Sequence, residues 1–335
     1  MMSILGKNKY LLLLGVVALL LPLGVNNNFH LNILILLFLF AALASAWNIL
    51  GGYGGQLSLG HAIFFGLGAY TSSLLYLNFQ LSPWLGFFIA AALSIAVGVL
   101  IGWPTFRLKG PYFTLATIAF AEVIRHITLF WRDLTNGASG VNIRFDPNFA
   151  NLIFREYSSY YYLAFVLFLI SLAVVIWVDK TKIGYYLKAI REDEDSAETL
   201  GINVTKYKML AMILSAGLTG VAGVIYAQYM LFFEPNSVFN LNFSIEIALI
   251  AIIGGMGTIY GPLLGACIII PLNEILRASF PELSGMNYFA YGIILVLIVS
   301  FMPNGLLPIL KKIPGKLKAK KKTAVKEEEN FDYTG

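Results

Sequence analysis

Long apolar runs separated by short polar segments are the dominant pattern along this chain. A helix that crosses a membrane needs roughly 20 mainly apolar residues. Ten runs approach this length, so the pattern predicts an all-α integral membrane protein, a polytopic bundle of about ten transmembrane helices. The predicted spans are 10–25, 29–50, 61–79, 83–104, 111–131, 160–178, 209–230, 243–258, 262–277 and 288–308.

The basic residues predict how these spans are oriented. An even number of spans places both termini on one side of the membrane, and we assign that side to the cytoplasm. Every lysine then falls in a cytoplasmic segment, as the positive-inside rule predicts. The first run follows Lys7 and Lys9 and lacks a clear small-x-small cleavage site, so we interpret it as an uncleaved span.

The polar segments divide the chain into a transmembrane domain, residues 1–310, and a tail. The outer loop, about 132–159, is rich in Asn, Asp, Gly and Pro, which is typical of turns at a surface. The longest inner loop contains a segment of about 184–202 with its own helical pattern. The lysine-rich tail, 311–335, is predicted to be cytoplasmic and disordered, close to anionic headgroups.

The inner segment combines an apolar stripe with a run of charges. Leu187, Ile190, Ala197 and Leu200 lie on roughly one helical stripe, and Gly201 is a natural helix stop. Taken alone, such a charged run more often forms a solvated loop than a binding element. The charged or flanking residues of interest are Ile190, Arg191, Glu192, Asp193, Glu194, Leu200 and Gly201.

Glycines cluster at the ends of two predicted spans. The second span ends in the cluster bounded by Gly51 and Gly55, and the eighth ends in Gly254, Gly255 and Gly257. Clustered glycines favour discontinuous helices that line a substrate path. Tight helix packing explains any single glycine equally well. The repeated Gly-Gly-x-Gly pattern hints at a weak internal repeat.

Ionisable residues inside a membrane are costly and therefore candidates for function. Glu122, Arg125 and His126 share one face of the fifth span. They form either a polar wall of a pathway or a self-neutralising pair, and the second interpretation is slightly favoured. Further pathway candidates are Asn48, Gln56, Ser58 and His61 around the first glycine cluster, Glu246 in the eighth span, and Asn273 and Glu274 in the ninth.

Composition supports a membrane protein and excludes several other classes. Hydrophobic residues make up 58% of the 335 residues and charged residues only 12%, with a mean hydropathy of +0.76. The net charge of +5 comes mainly from the tail and short loops, which argues against a nucleic-acid partner. The single cysteine, Cys267, cannot form an internal disulfide, and no metal or haem motif is present.

No catalytic or nucleotide-binding motif occurs in the sequence. It contains neither a phosphate-binding loop nor an H-E-x-x-H or G-x-S-x-G motif. It also lacks the arginine ladder of a voltage sensor and a potassium selectivity filter. The chain is therefore expected to be non-catalytic, and any powered transport must draw on an ion gradient or on a partner.

Five sequence blocks together resemble the LivM-like permeases of branched-chain amino-acid ABC importers, within the LivH/LivM permease family. The resemblance extends from about residue 45 to residue 310, while the lysine-rich tail lies outside it. The blocks are GGQLSLGHAIFFGLGAY (54–70), KGPYFTLAT (109–117), TNGASG (135–140), AIREDE (189–194) continuing to LGINVTKYK (200–208), and IGGMGT (253–258) with GP (261–262).

The resemblance implies a permease subunit of the bacterial inner membrane that takes up leucine, isoleucine and valine by ATP-driven alternating access. It implies four kinds of partner: a homologous LivH-type permease, two ABC ATPase subunits, an extracytoplasmic substrate-binding protein and membrane lipid. ATP and Mg would be bound by the ATPases, with no cofactor in this chain. Residues 184–202 would couple to the ATPases, and 132–159 would meet the binding protein.

Other functions remain open at this point. Related permeases carry urea, short amides or other amino acids, and the binding protein usually determines that choice. A gradient-driven secondary transporter would use Glu122 for ion coupling. A non-transporting scaffold or receptor is disfavoured by the dispersed glycine clusters and by the small solvent-exposed segments.

Overall fold

The computed structural model describes residues 15, 18–25 and 27–279, with isolated positions 289, 292, 293, 296, 300, 305 and 306. Within this part the protein is helical apart from one two-stranded ribbon. The predicted span 10–25 is described at residues 15 and 18–25, the span 288–308 only at isolated positions, and the tail 311–335 lies wholly outside the described residues. Residues 18–24 are helical, and the hydroxyls of Tyr161 and Tyr162 donate to the carbonyls of Ala18 and Leu19.

Among the described residues, eight helical segments are long and apolar enough to cross a membrane, and they correspond to the second through ninth predicted spans. Two of them, Asn28–Tyr53 and Pro235–Gly255, comprise more than one element. The helices are α1 (Asn28–Asn48), α2 (His61–Phe79), α3 (Pro83–Thr105), α4 (Pro111–Phe130), α5 (Arg132–Thr135), α6 (Tyr157–Lys180), α7 (Lys182–Glu192), α8 (Glu194–Thr199), α9 (Val204–Met230), α10 (Pro235–Val238), α11 (Leu241–Gly255) and α12 (Gly261–Ser279).

Two boundaries differ from the sequence prediction for identifiable reasons. Helix α9 begins at Val204, not 209, because the Asn203 side chain accepts a hydrogen bond from the Lys206 amide (2.9 Å) and caps it. Helix α1 does not simply end in the glycine cluster but continues as a π-helical turn, Ile49–Tyr53. Such turns commonly occur at functional sites.

Helix α1 forms the centre of the bundle. It is apolar on all sides, as expected for a helix surrounded by others, and Leu39, Leu43 and Trp47 are fully buried. Helices α6, α9, α11 and α12 pack around it, while α2 and α3 pack against α9. A second apolar cluster joins the π-helical turn to Leu187 of α7 and Met212 of α9.

Helices α2 and α9 approach each other closely because glycines line their contact. A Cβ atom on Gly68 would lie 1.9 Å from the Gly220 carbonyl oxygen, and one on Gly223 would lie 2.0 Å from the Phe65 oxygen. Neither backbone can yield without moving its helix. Small residues allow this kind of approach where lipid gives helices no hydrophobic reason to associate.

A short ribbon ties the predicted outer loop to the segment that follows α9. Strands β1 (Val141–Asn142) and β2 (Phe232–Phe233) pair antiparallel, with Val141 opposite Phe233. Phe239, between α10 and α11, stacks on Tyr70 and packs over Gly66 of α2. Gly66 is 13 residues before the end of α2, about 20 Å along that helix. The segment between α9 and α11 therefore reaches deep into the bundle.

Candidate functional site

The two glycine clusters meet at one end of the bundle, where Asn48 joins them. Asn48 is fully buried; its Nδ2 donates to the Thr258 carbonyl (2.9 Å) and its Oδ1 accepts from the Gly257 amide (2.7 Å). The π-helical turn leaves this side chain facing the end of α11. One amide side chain thus fixes the distance between segments about 210 residues apart in sequence.

Arg191 of α7 inserts between the same two clusters. Its Nη1 donates to the Gly52 carbonyl (2.9 Å), and a Cβ on Gly257 would lie 2.4 Å from that nitrogen. A Cβ on Gly55 would lie 2.7 Å from the arginine Cγ. Gly55 and Gly257 also have positive φ angles, +68° and +72°, so both positions favour glycine by conformation and by space. We call Asn48, Gly52, Gly55, Arg191 and Gly257 the glycine junction.

Glu194, at the start of α8, forms a second attachment to the bundle. Its Oε1 accepts hydrogen bonds from Lys208 Nζ (2.6 Å) and Gln56 Nε2 (3.0 Å). Lys208 is fully buried within α9, and Glu194 is 23% exposed. A buried ammonium group needs a charged partner, so this pair holds α8 against α9 and against the loop that follows α1.

The apolar side of the α7–α8 segment also faces the bundle. Leu187, Ile190 and Ala197 are buried, as their common stripe predicts, but Leu200 is 81% exposed and leaves that stripe. The reason is a break at Asp193, whose extended backbone (φ −161°) separates α7 from α8. Gly201 has a φ of +83° immediately after α8.

The opposite side of the segment is acidic and open. Asp193 caps α8 by accepting from the Ser196 amide (2.6 Å), and this hydrogen bond holds the pKa of its carboxyl below the usual range. The side chains of Glu192 and Asp195 are 76% and 77% exposed. Asp195 meets Lys109 at 2.5 Å and raises the pKa of that lysine through the hydrogen bond and its charge.

The loop from Gln56 to His61 is held inside the bundle by polar contacts. His61 is fully buried, with Nδ1 3.2 Å from Ser58 Oγ and Nε2 2.7 Å from Ser215 Oγ. Trp47 Nε1 donates to the Ser58 carbonyl (2.7 Å). Because α1, α9 and this loop are joined in this way, His61 serves as a hydrogen-bonded structural residue in this arrangement.

A cavity of about 610 Å³ opens beside this loop, between α4 and α8. Thr114 of α4 donates to the Leu57 carbonyl (2.7 Å) at its edge. We call it the α4–α8 pocket, and it connects the coupling candidates to the pathway candidates. Its lining residues are Gly55, Gln56, Leu57, Gly110, Pro111, Thr114, Leu115 and Glu194.

The polar cluster of α4 lies further along the same helix. Arg125 bonds Glu122 Oε2 through Nη2 (2.6 Å) and Nε (2.9 Å), so the pair neutralises itself. Arg125 Nη1 also donates to Asn236 of α10 (2.8 Å), and His126 Nε2 lies 3.9 Å from Glu122. These side chains remain between 23% and 55% exposed. The structure therefore contains the self-neutralising pair, and its side chains remain partly exposed in the isolated chain.

Two more predicted carboxylates lie away from this region. Asn273 Nδ2 donates to Glu246 Oε1 (3.1 Å), which links α12 to α11. Glu274 lies 3.6 Å from Arg277 on the same helix. The structure therefore gathers Asn48, Gln56, Ser58 and His61 near the coupling candidates, but it separates Glu246 from them. Among the residues described, no group of acidic, His or Cys side chains could hold a metal ion.

Comparison with known proteins identifies the family. The model of a family described as "Branched-chain amino acid transport system / permease component" matches residues 29–299. The chain belongs to this permease family.

Named members of the permease family resemble the chain over 44% to 92% of its length. The high-affinity branched-chain amino acid transport system permease protein LivM of Salmonella typhimurium is 29% identical over 92% of this chain and 77% of its own. The probable LivM of Methanocaldococcus jannaschii is 24% identical over 67% and 68%. The permease LivH of Escherichia coli is 29% identical over 44% and 47%. No solved structure matches the chain.

No sequence pattern singled out several of the residues that build the candidate site. The predicted span 209–230 leaves Lys208 in the inner loop, although the Asn203 cap could have indicated that α9 already contains it. Asn236 and Ser215 carry no sequence signal, since isolated polar residues near a helix have many possible partners, and Thr114 lies in the block 109–117 without a predicted role. Their roles depend on contacts between distant segments.

Proposed function

We propose that this chain is the permease subunit of an ATP-driven importer of branched-chain amino acids. The family match over residues 29–299 is the observation that carries the proposal. The names of its relatives specify branched-chain amino acid transport. The similarity to the LivM relatives extends along most of the chain. The eight apolar helices fit a multi-pass membrane protein.

The subunit has about ten spans in the inner membrane, some of them broken at glycines. Both of its termini lie in the cytoplasm. The distribution of lysines supports this orientation, because it places α7 and α8 inside and residues 132–159 outside. Two ATPase subunits dock on the inner side, and they bind the ATP and Mg. A substrate-binding protein docks against the outer loop, and a LivH-type permease completes the membrane part.

The α7–α8 segment transmits the ATPase cycle to the membrane helices. Its open acidic side, Glu192 and Asp195, suits docking to a basic groove, where charge determines partner choice and geometry. Its other side is fixed by Arg191 to the Gly52 carbonyl and by Glu194 to Gln56. A shift of the segment therefore moves the glycine junction and the loop beside the α4–α8 pocket.

The solute moves by alternating access along the open side of α4. ATP binding and hydrolysis in the partners bias the equilibrium between outward-open and inward-open states. The α4–α8 pocket lies where an inward-open state releases solute, next to the residues that respond to the ATPases. Glu122 and Arg125 offer opposite charges to a zwitterionic amino acid farther along the path.

The decisive experiment is uptake of labelled leucine into vesicles that contain the complex purified with its native neighbours. Uptake should require both ATP and the binding protein, and isoleucine and valine should compete with it. Uptake by the lone subunit without ATP would instead indicate a gradient-driven transporter. An assembled complex that hydrolyses ATP without transporting leucine would indicate that the substrate is urea, an amide or another amino acid.

A further inference from the structure

A cavity of about 680 Å³ opens where three spanning helices end side by side. It lies between Asn28 at the start of α1, Tyr157 at the start of α6 and Met230 at the end of α9. Helix α6 has 24 residues and is therefore about 36 Å long, whereas the hydrocarbon core of a bilayer is about 30 Å thick. The cavity thus lies at the depth of the lipid headgroups. We call it the tyrosine cavity.

Aromatic rings form one wall of the tyrosine cavity. Tyr229 packs edge to face against Tyr160 and Tyr157, with ring centroids 5.1 and 6.2 Å away. Phe154 extends the wall by packing edge to face against Tyr160 at 5.4 Å. The faces of aromatic rings attract ammonium groups, most strongly where several rings surround the cation. This wall therefore favours a ligand that carries an ammonium group.

The hydroxyls of two of these tyrosines are already used within the protein. Tyr160 Oη donates to the Gln228 carbonyl (3.0 Å) and accepts from the Phe154 amide (3.1 Å). Tyr229 Oη donates to Asn32 Oδ1. These hydrogen bonds hold the rings in place before a ligand arrives, which lowers the entropy cost of binding. They also leave the rings, more than the hydroxyls, to contact the ligand.

Two opposite charges lie next to the aromatic wall. Arg155 and Glu156 both line the cavity and are both exposed. They are not joined to each other among the ion pairs of the described residues, so one ligand can contact both. A guanidinium group matches the geometry of a phosphate, and a carboxylate attracts an ammonium group. The charges therefore suit a zwitterion that contains a phosphate and an ammonium group.

Exposed apolar side chains border the same cavity. Phe29, Phe145 and Met230 line it and are 39%, 56% and 38% exposed. A small water-soluble zwitterion would leave this apolar surface in water, whereas the glycerol and upper acyl groups of a lipid would cover it. Tyrosines are also enriched at this depth, where one end of the side chain meets lipid and the other meets water.

We infer that the tyrosine cavity binds the headgroup of a zwitterionic phospholipid of the ethanolamine class. Arg155 contacts the phosphate, while Glu156 and the tyrosine rings hold the ammonium group. The bound lipid stabilises the subunit by joining the ends of α1, α6 and α9, because it binds only the folded chain. The inference is independent of the transported solute, since it requires only that these helices span a membrane.

Titration of a short-chain phosphatidylethanolamine tests the inference. The complex is purified with its native neighbours and delipidated in detergent, and native mass spectrometry counts the bound lipid. Arg155→Gln and Tyr157→Leu should each raise the dissociation constant roughly three- to tenfold, as expected for the loss of one charge-assisted or cation–π contact. The matched controls are Arg144→Gln and Tyr112→Leu, at exposed positions outside the cavity, and they should bind the lipid normally.

Phosphatidylglycerol distinguishes the headgroups, because it has the phosphate but no ammonium group. It should bind several-fold more weakly than phosphatidylethanolamine, and equal binding would overturn the inference. Normal phosphatidylethanolamine binding by both cavity variants would place the lipid elsewhere on the protein. Displacement of the lipid by free leucine would instead identify the cavity as a site for a soluble zwitterion.

Discussion

At the residue scale, Lys208 and Glu194 illustrate how one pair can serve both folding and transport. Lys208 is fully buried, and its amino group reaches Glu194, which also binds Gln56. The pair therefore joins α9, α8 and the loop beside the α4–α8 pocket. Removing its charge should affect stability and coupling together, whereas the exposed pair of Lys109 and Asp195 should contribute little to stability.

We expect Glu194→Gln to destabilise the subunit by about 1–3 kcal/mol, because it leaves a buried ammonium group with only a neutral acceptor. In the assembled complex, ATP hydrolysis should persist while leucine uptake falls. Thermal unfolding in detergent and paired hydrolysis and uptake assays measure the two effects. The matched control for stability is Asp195→Asn, whose exposed pair with Lys109 should contribute little to stability because solvent screens it. Equal destabilisation by the two variants would contradict this role for Glu194.

Asn48 provides a second residue-scale prediction. Asn48→Ala removes both hydrogen bonds that join α1 to the end of α11, and each orphaned buried group costs roughly 1–3 kcal/mol. The melting temperature in detergent should fall clearly. Asn242→Ala, at an exposed position of α11, should leave it nearly unchanged. A normal melting temperature for Asn48→Ala would show that the glycine junction does not depend on this side chain.

At the element scale, apolar runs were a good guide to helices and a poor guide to their ends and breaks. Eight predicted runs coincide with helical segments of spanning length, because lipid requires continuous apolar helices. Run length does not reveal a cap such as Asn203, the break at Asp193 or the π-helical turn. Those features depend on hydrogen bonds, so the paths of α7 and α8 could not be predicted.

Helix packing gives an element-scale prediction. Gly68→Ala would place a methyl group 1.9 Å from the Gly220 carbonyl, and the helix must shift because the obstacle is backbone. Overpacking of this kind typically costs about 1–3 kcal/mol. The yield of folded protein and the melting temperature should both fall. Gly217→Ala on α9 meets only the flexible Ile95 side chain, at 3.2 Å, and should be tolerated. Comparable losses from the two variants would reject backbone contact as the cause.

At the scale of the whole molecule, the chain has one open side and one closed centre. Helix α1 is enclosed by its neighbours, while α4 keeps most of its surface exposed. The sequence predicted which residues could be functional but not which of them meet. Arg191 reaches Gly52 across 139 positions and Asn48 reaches Gly257 across 209, and no local pattern encodes such contacts.

Orientation in the membrane is a prediction for the whole molecule. In a Cys267→Ser background, Leu200→Cys should react with an impermeant thiol reagent only from the cytoplasmic side. Phe149→Cys should react only from the outside. Both positions are well exposed, at 81% and 70%, so accessibility does not limit either reaction. Labelling of both positions from one side would overturn the proposed topology.

The π-helical turn at Ile49–Tyr53 determines which kinds of mutation this part of the chain can tolerate. A π turn holds one residue more than an α turn, and one residue corresponds to about 100° of rotation around a helix. Gln56 meets Glu194 in this register. A single-residue deletion in the turn would swing every following position away from its contact, however conservative the remaining sequence. The spacing between Asn48 and Gln56 is thus expected to tolerate substitutions far better than changes in length.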